Sequence, residues 1–332
     1  MLKLLAGAGA LAAGATVYQE MAEARDRQTY RPPGQLVDVG GRHLHYQTEG
    51  SGSPTVVIET GAGTLARSWA PIVSRLAEQT TVVTYDRAGY GWSDGAGLGR
   101  RTGSDVADDL ITMLETAAIE PPYVVVGHSL GGLYARTFAV SNREVTAGLV
   151  LVDATHEDVL TRIRERLGAK GLLLQAASAL LMAGVPRSVV RMGIQTGAMR
   201  SMARAMMGGD TDEDFALHAA LYLTGKFRWA SLSEQIGVPA TASYLRDHRH
   251  LGDLPIVVVT AAEPDPSSTA LTARFRPEWL EMQSDLATLS TNAMHVIATS
   301  GGHFVYRDDP DTVCNAIGRL IDSVRAPRPL PA

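Results

Sequence analysis

Residues 123–132 read Tyr-Val-Val-Val-Gly-His-Ser-Leu-Gly-Gly, and the serine at their centre, Ser129, is where this chain can do chemistry. A β-branched run ends, a Gly-x-Ser-x-Gly turn follows, and small residues open a helical stretch. That order predicts a nucleophile elbow, a strained strand-to-helix turn that lifts a serine Oγ above the end of a sheet. Gly127 and Gly131 supply room where a side chain would meet neighbouring turns. Leu130 supplies the next backbone N–H, aimed where an oxyanion would form.

A serine hydroxyl is a poor nucleophile at neutral pH, so it needs a general base held by a carboxylate. The elbow comes in chain order serine, acid, histidine. His303 is the expected base. It sits in Ser300-Gly301-Gly302-His303-Phe304, one loop past the apolar run Met294–Ala298, and two glycines let that loop bend over the sheet edge. His218, His248 and His250 fall in a region read as helical cover, and His295 falls within the last strand.

Two places could supply the acid. Asp153 directly follows the strand-like Ala147–Val152, while Glu263 and Asp265 follow the strand-like Leu254–Thr260. Both are C-terminal ends of expected parallel strands, where an α/β sheet carries its working residues. Asp153 is the first choice because it follows its strand without a gap. Glu263 and Asp265 stay open as alternatives within the proline-stiffened Glu263-Pro264-Asp265-Pro266.

With these residues in place, the chain resembles the α/β-hydrolase superfamily. Tyr85–Asp94 is similar to the family's Asp-x-x-Gly-x-Gly-x-Ser loop after the fourth strand. Glu59–Gly63 occupies the place of its oxyanion loop, and His303-Phe304 with Asp309-Pro310 resembles its C-terminal pattern. The likeness runs over about residues 35–325 and is closest to serine esterases and lipases that carry an N-terminal hydrophobic segment. It implies an oxyanion hole from the backbone N–H groups of Ala62 and Leu130. It also implies a mostly parallel eight-stranded sheet with helices on both faces and an inserted helical cap. Two departures stand out: Thr60 replaces the usual histidine of the oxyanion loop, and no Gly-x-x-Asp follows the seventh strand. Some relatives carry their acid after strand six, which is the position Asp153 matches. Relatives acting on epoxides or haloalkanes place an aspartate at the elbow, against which Ser129 argues.

The composition excludes several classes. A net charge of −5 with no basic run interleaved with aromatics argues against nucleic acid as a partner. Cys314 is the single cysteine, so no internal disulfide can form. It lies in a helical stretch and reads as a small buried apolar side chain. No His-Glu-x-x-His zinc signature occurs, and neither metal nor cofactor is expected.

Residues 4–18 carry no charge and are followed by Ala22-Glu23-Ala24, which resembles a cleavage site. The run is about 15 residues, short of the ~20 a spanning helix needs. It reads as a signal or membrane anchor, with a cytoplasmic Ala-rich helix as the alternative. Residues 25–34 read as a polar linker.

Strand and helix patterns then alternate to Asp153, which with 253–325 makes a core domain. Between 154 and 252 the alternation stops. Leu172–Leu174, Leu180–Met182, Met192, Met199, Met202, Met206 and Met207 recur in helical contexts, so this stretch reads as the cap. Packing accounts for most of these residues, and an adaptable apolar cleft is the functional alternative. The expected substrate is a small lipophilic ester. A proline-iminopeptidase-like amide hydrolase, a cofactor-free perhydrolase and a ligand-binding member without turnover are the alternatives.

Overall fold

The computed structural model describes residues 2–97, 99–168, 171, 173, 187–209, 211–263, 274–326 and 328–330. Asp265, the leucines at 172, 174, 180 and 181, and Met182 lie outside the described residues.

Eight strands form one sheet. They are β1 (Gln35–Asp38), β2 (His43–Glu49), β3 (Thr55–Glu59), β4 (Val82–Asp86), β5 (Tyr123–His128), β6 (Thr146–Val152), β7 (Ile256–Thr260) and β8 (Ala293–Ile297). Their order is β1-β2-β4-β3-β5-β6-β7-β8. β1 and β2 are antiparallel to their neighbours, and every pairing from β4 to β8 is parallel. The mostly parallel sheet expected from the near-continuous apolar runs is therefore present. The chain moves outward from β3 to β4, then crosses back so that β5 pairs with the other side of β3. The strand order reverses between β3 and β5, and the carboxyl ends there frame the crevice where open α/β sheets bind ligands.

Strand residues alternate between two buried faces, as a two-residue period requires. Val57, Val125, Leu149, Leu151 and Val258 face one layer, where they meet Leu110 and Met113 of α3 (Gly103–Thr116) and Phe138 of α4 (Leu130–Ser141). Val56, Val124, Val126, Val150 and Val257 face the other. There they meet Ile72 and Leu76 of α2 (Ala70–Leu76) and Ile317 and Leu320 of the C-terminal helix Pro310–Arg325. Each fully buried Val or Leu contributes roughly 1.5–3 kcal/mol, so both faces must be covered. α3 starts on a capping box in which Thr102 and Asp105 bond each other's backbone. Cys314 is half-buried against the second layer rather than fully enclosed.

Between β6 and β7 the regular elements among the described residues are all helical, including Arg187–Gln195, Arg200–Met207, Asp212–Tyr222 and Gly225–Asp247. Met207, Phe215, Leu221 and Phe227 pack with Leu65 and Tyr90 from the loops after β3 and β4. Met207 is thus a packing residue, whereas Met192 is exposed. The last of these helices, Gly225–Asp247, packs on the helices that cover the sheet: Val238 and Leu245 meet Val106, Leu130 and Tyr134 of α3 and α4.

An N-terminal helix, α1, spans Leu2–Thr29, so residues 25–29 continue it and the polar linker shortens to 30–34. Its C-terminal half docks on the helical insertion. Gln19 Nε2 donates to the Leu223 carbonyl at 2.7 Å, Glu23 accepts from the Gly225 N–H at 2.8 Å, and Asp26 pairs with buried Arg187. Among the described residues no helix is long and apolar enough to cross a membrane.

Candidate active site

β5 delivers Ser129 directly, one residue beyond its last paired position at His128. The backbone of Ser129 has φ +52° and ψ −125°, a strained conformation for a residue with a side chain. The neighbouring glycines make the turn possible. A Cβ on Gly127 would lie 2.6 Å from the Gly131 carbonyl, and one on Gly131 would lie 2.3 Å from the Glu59 carbonyl. The strain is held by backbone bonds, since the Ser129 carbonyl accepts from Gly132 and Thr155 at 2.9 Å each.

The other two residues arrive from neighbouring strand ends. Asp153 follows β6 and has φ +41°, with its N–H donating to the Val259 carbonyl at 2.7 Å. His303 sits in the loop after β8. Asp309 closes that loop by capping the C-terminal helix through Thr312 and accepting from the Thr299 N–H at 2.9 Å. The His303 Nδ1–H donates to Asp153 Oδ2 at 2.7 Å, leaving Nε2 to accept from the Ser129 hydroxyl at 2.9 Å. The partners assign this tautomer, because a carboxylate can only accept. The Asp153 side chain is 2% exposed, whereas that of His303 is 30% exposed.

Asp153 is more strongly held than its position at a strand end suggests. Its Oδ1 accepts from Trp279 Nε1–H at 3.0 Å and from the Ala261 N–H at 3.1 Å. Burial pushes the carboxyl up, but the His303 hydrogen bond and charge, then Trp279 and Ala261, outweigh it. The group is held below the ordinary aspartate range and stays ionised. Trp279 also lies edge-on to the His303 ring. Of the alternative acids, Glu263 is exposed, and its N–H donates to the Gly301 carbonyl while the imidazole is taken by Asp153. The remaining histidines lie elsewhere. His218 is buried with Nδ1 2.6 Å from the Met207 carbonyl, His248 bonds the Tyr244 carbonyl, and His295 bonds Thr260.

The candidate oxyanion donors flank the serine. Leu130 opens α4, so its N–H is among those a helix start leaves without an intrahelical partner. Ala62 is exposed on the loop after β3, next to Gly61, where an added Cβ would lie 3.2 Å from Ser129 Cβ. Among the described residues no group of histidine, cysteine and carboxylate side chains could hold a metal ion.

Two residues at the site escaped sequence reasoning. Trp279 lies on a helix of ordinary composition, and only the three-dimensional approach to Asp153 reveals it. His128 was in view as the residue before the serine. Its fully buried ring donates from Nε2 to the His303 carbonyl at 2.8 Å, anchoring the loop that carries the imidazole. Trp69 and Tyr306, stacked at 4.3 Å, back it.

Burial, and then the nearby His303, push the His128 imidazole down to about 3. The ring stays neutral when folded but protonates near 6.5 when unfolded. Its stabilisation is therefore complete above pH 6.5 and is lost as pH falls toward 3, at about 1.4 kcal/mol per pH unit. Urea unfolding of the wild type and His128→Gln at pH 7, 6, 5 and 4 is expected to differ in slope by one proton. Equal slopes would mean that the ring is solvated in the folded state.

The model of the alpha/beta hydrolase family matches residues 56–316. The uncharacterized protein YqjL of Bacillus subtilis is 26% identical over 282 residues, 84% of this chain and 88% of that protein. An esterase from Thermogutta terrifontis superposes with a TM-score of 0.61 at 20% identity, over 88% of this chain and 99% of that one. The epoxide hydrolase CorEH superposes with a TM-score of 0.62 at 21% identity, again over 88% and 99%. At such identities the solved structures speak for the fold alone, while the family model spans most of the chain: this protein belongs to the alpha/beta hydrolase family.

Proposed function

We propose that the chain is a serine hydrolase that cleaves small lipophilic carboxylic esters through an acyl-enzyme. The observation that carries this reading is the His303 ring held between the Ser129 hydroxyl and the Asp153 carboxylate, at 2.9 and 2.7 Å. In this reading His303 Nε2 takes the hydroxyl proton while Oγ adds to the ester carbonyl carbon. The Leu130 and Ala62 N–H groups stabilise the oxyanion. Collapse expels the alcohol, which takes the proton from the imidazolium. Water then adds to the acyl-enzyme by the same route and releases the acid. Asp153 orients the imidazole and stabilises its charged form without accepting the proton.

Serine at the elbow supports ester chemistry over epoxide opening, which on this fold employs a carboxylate nucleophile. Residues 4–18 support export or membrane attachment of the same enzyme, with a cytoplasmic location as the alternative. The test is multiple-turnover hydrolysis of p-nitrophenyl esters from acetyl to octanoyl. The expected result is steady release of p-nitrophenol over many turnovers with a preference among chain lengths. A single burst without turnover would leave a ligand-binding protein. Turnover of proline p-nitroanilide with none of the esters would move the reading to amide hydrolysis.

A further inference from the structure

Beneath the loop after β3 lies a buried ion cluster that the proposed reaction does not use directly. Arg87, at the start of the loop after β4, is 1% exposed and sits between Glu59, the last residue of β3, and Glu234 of the helix Gly225–Asp247. Its Nε–H donates to Glu234 Oε1 at 2.8 Å, and Nη2 reaches Oε2 of the same carboxylate at 3.1 Å. Nη1 donates to Glu59 Oε1 at 2.6 Å. Tyr85 and Tyr90 hydroxyls donate to the same two carboxylates, and the guanidinium lies over the rings of Tyr90 and Tyr134 at 4.7 and 5.2 Å. Burial opposes the charge, but Glu234 and Glu59 more than offset it, so the group stays cationic.

The remaining N–H groups of this fork hold main chain. Nη1 donates to the Thr60 carbonyl at 2.6 Å and Nη2 to the Gly61 carbonyl at 3.0 Å. A trans peptide unit is planar, with its C=O and N–H pointing in opposite directions. The Gly61 carbonyl belongs to the same unit as the Ala62 N–H. Fixing that carbonyl on a buried cation therefore turns the Ala62 N–H away from the cluster, toward the exposed side of the loop beside Ser129. A cation on the carbonyl oxygen also polarises the amide and strengthens its N–H as a donor.

We infer that Arg87 is a positioning residue for the oxyanion hole: it orients and polarises the 61–62 peptide unit, and Glu234 ties that setting to the helical insertion. The inference rests on the reading of Ser129 as nucleophile. Lysine cannot reproduce it, because one ammonium lacks the planar fork that serves two carbonyls and two carboxylates together.

The experiment compares wild type, Arg87→Lys, Glu234→Gln and Ser129→Ala on p-nitrophenyl butyrate. Active sites are counted by the final amplitude of fluorophosphonate labelling, and affinity is measured for an alkyl trifluoromethyl ketone, which the serine converts to a tetrahedral adduct. For Arg87→Lys, kcat per labelled site is expected to fall about 100-fold, with KM within about twofold and ketone affinity weakened in parallel with kcat. Glu234→Gln keeps the arginine but loosens it, and a drop of about tenfold in the same two quantities is expected. A cluster that only stabilises the fold would reduce the number of labelled sites and leave kcat per site and ketone affinity unchanged, and that result overturns the inference. If Arg87→Lys does not fold, an unchanged kcat per site in Glu234→Gln overturns it alone. Failure of the underlying reading shows differently, as activity retained by Ser129→Ala or wild type that the fluorophosphonate does not label.

Discussion

Ser129→Ala is expected to lower ester turnover by about 10⁴- to 10⁶-fold, with thermal stability maintained or slightly raised. The loss should be this large because the hydroxyl is the group that would form the covalent bond, and alanine leaves the imidazole nothing to activate. Stability should not suffer, because Ser129 is only half-buried and bonds to a partly exposed His303 rather than to a core residue. Residual activity would come from the oxyanion donors acting on a water molecule. His303→Ala should produce a loss of similar size, and the double variant should be little worse than either alone. Residues that act as one unit are not additive. Steady-state hydrolysis of p-nitrophenyl butyrate on separately purified variants measures all three. Activity in Ser129→Ala above about one-hundredth of wild type would remove the hydrolase proposal, since losing the group that forms the covalent bond costs far more than that.

The parts of this molecule that were legible in the sequence are those whose physics is local. The elbow was legible because a serine with φ +52° needs small residues at fixed offsets, and Gly127 and Gly131 stand at those offsets. The sheet was legible because a strand buried on both faces must be apolar at every position, as Val56–Ile58 and Val124–Val126 are. The choice between Asp153 and the Glu263–Asp265 pair was not legible. Both end a strand, and which one reaches the imidazole depends on how a loop from β8 folds across β7. The helical state of residues 25–29 was not legible for a related reason: the last turns of the N-terminal helix are held by Glu23 and Asp26 on the insertion, partners about 160 to 200 residues away. Arg87 carried a signal that could have been used. Glu59 ends a strand whose other residues are all buried, and a buried carboxylate calls for a cation nearby. The next strand ends at Asp86, and Arg87 follows it directly, one crossover away. Glu234 carried no such signal, because its helix has the mixed composition of a surface element.

Asp153→Asn is the second large effect, expected to lower kcat by about 10⁴-fold at neutral pH, while Glu263→Gln leaves it within about twofold. The argument turns on which oxygen is replaced. Oδ1 accepts from both Trp279 Nε1–H and the Ala261 N–H, so the substituted side-chain amide would keep its oxygen there and point its NH₂ at His303. An NH₂ group cannot accept from Nδ1–H. The imidazole would then take the other tautomer, with Nδ1 accepting and Nε2 protonated toward the serine. In that state Nε2 has no lone pair to receive the hydroxyl proton, and the fixed charge that stabilises the imidazolium is gone as well. Glu263 has no such lever, because its contact with the His303 loop is through its own backbone N–H, which glutamine retains. Nitrogen-15 NMR of the histidine rings reads the tautomer directly, and kinetics on the two variants reads its consequence. A normal kcat in Asp153→Asn together with a large loss in Glu263→Gln would mean that the loop after β7, not the end of β6, supplies the working carboxylate.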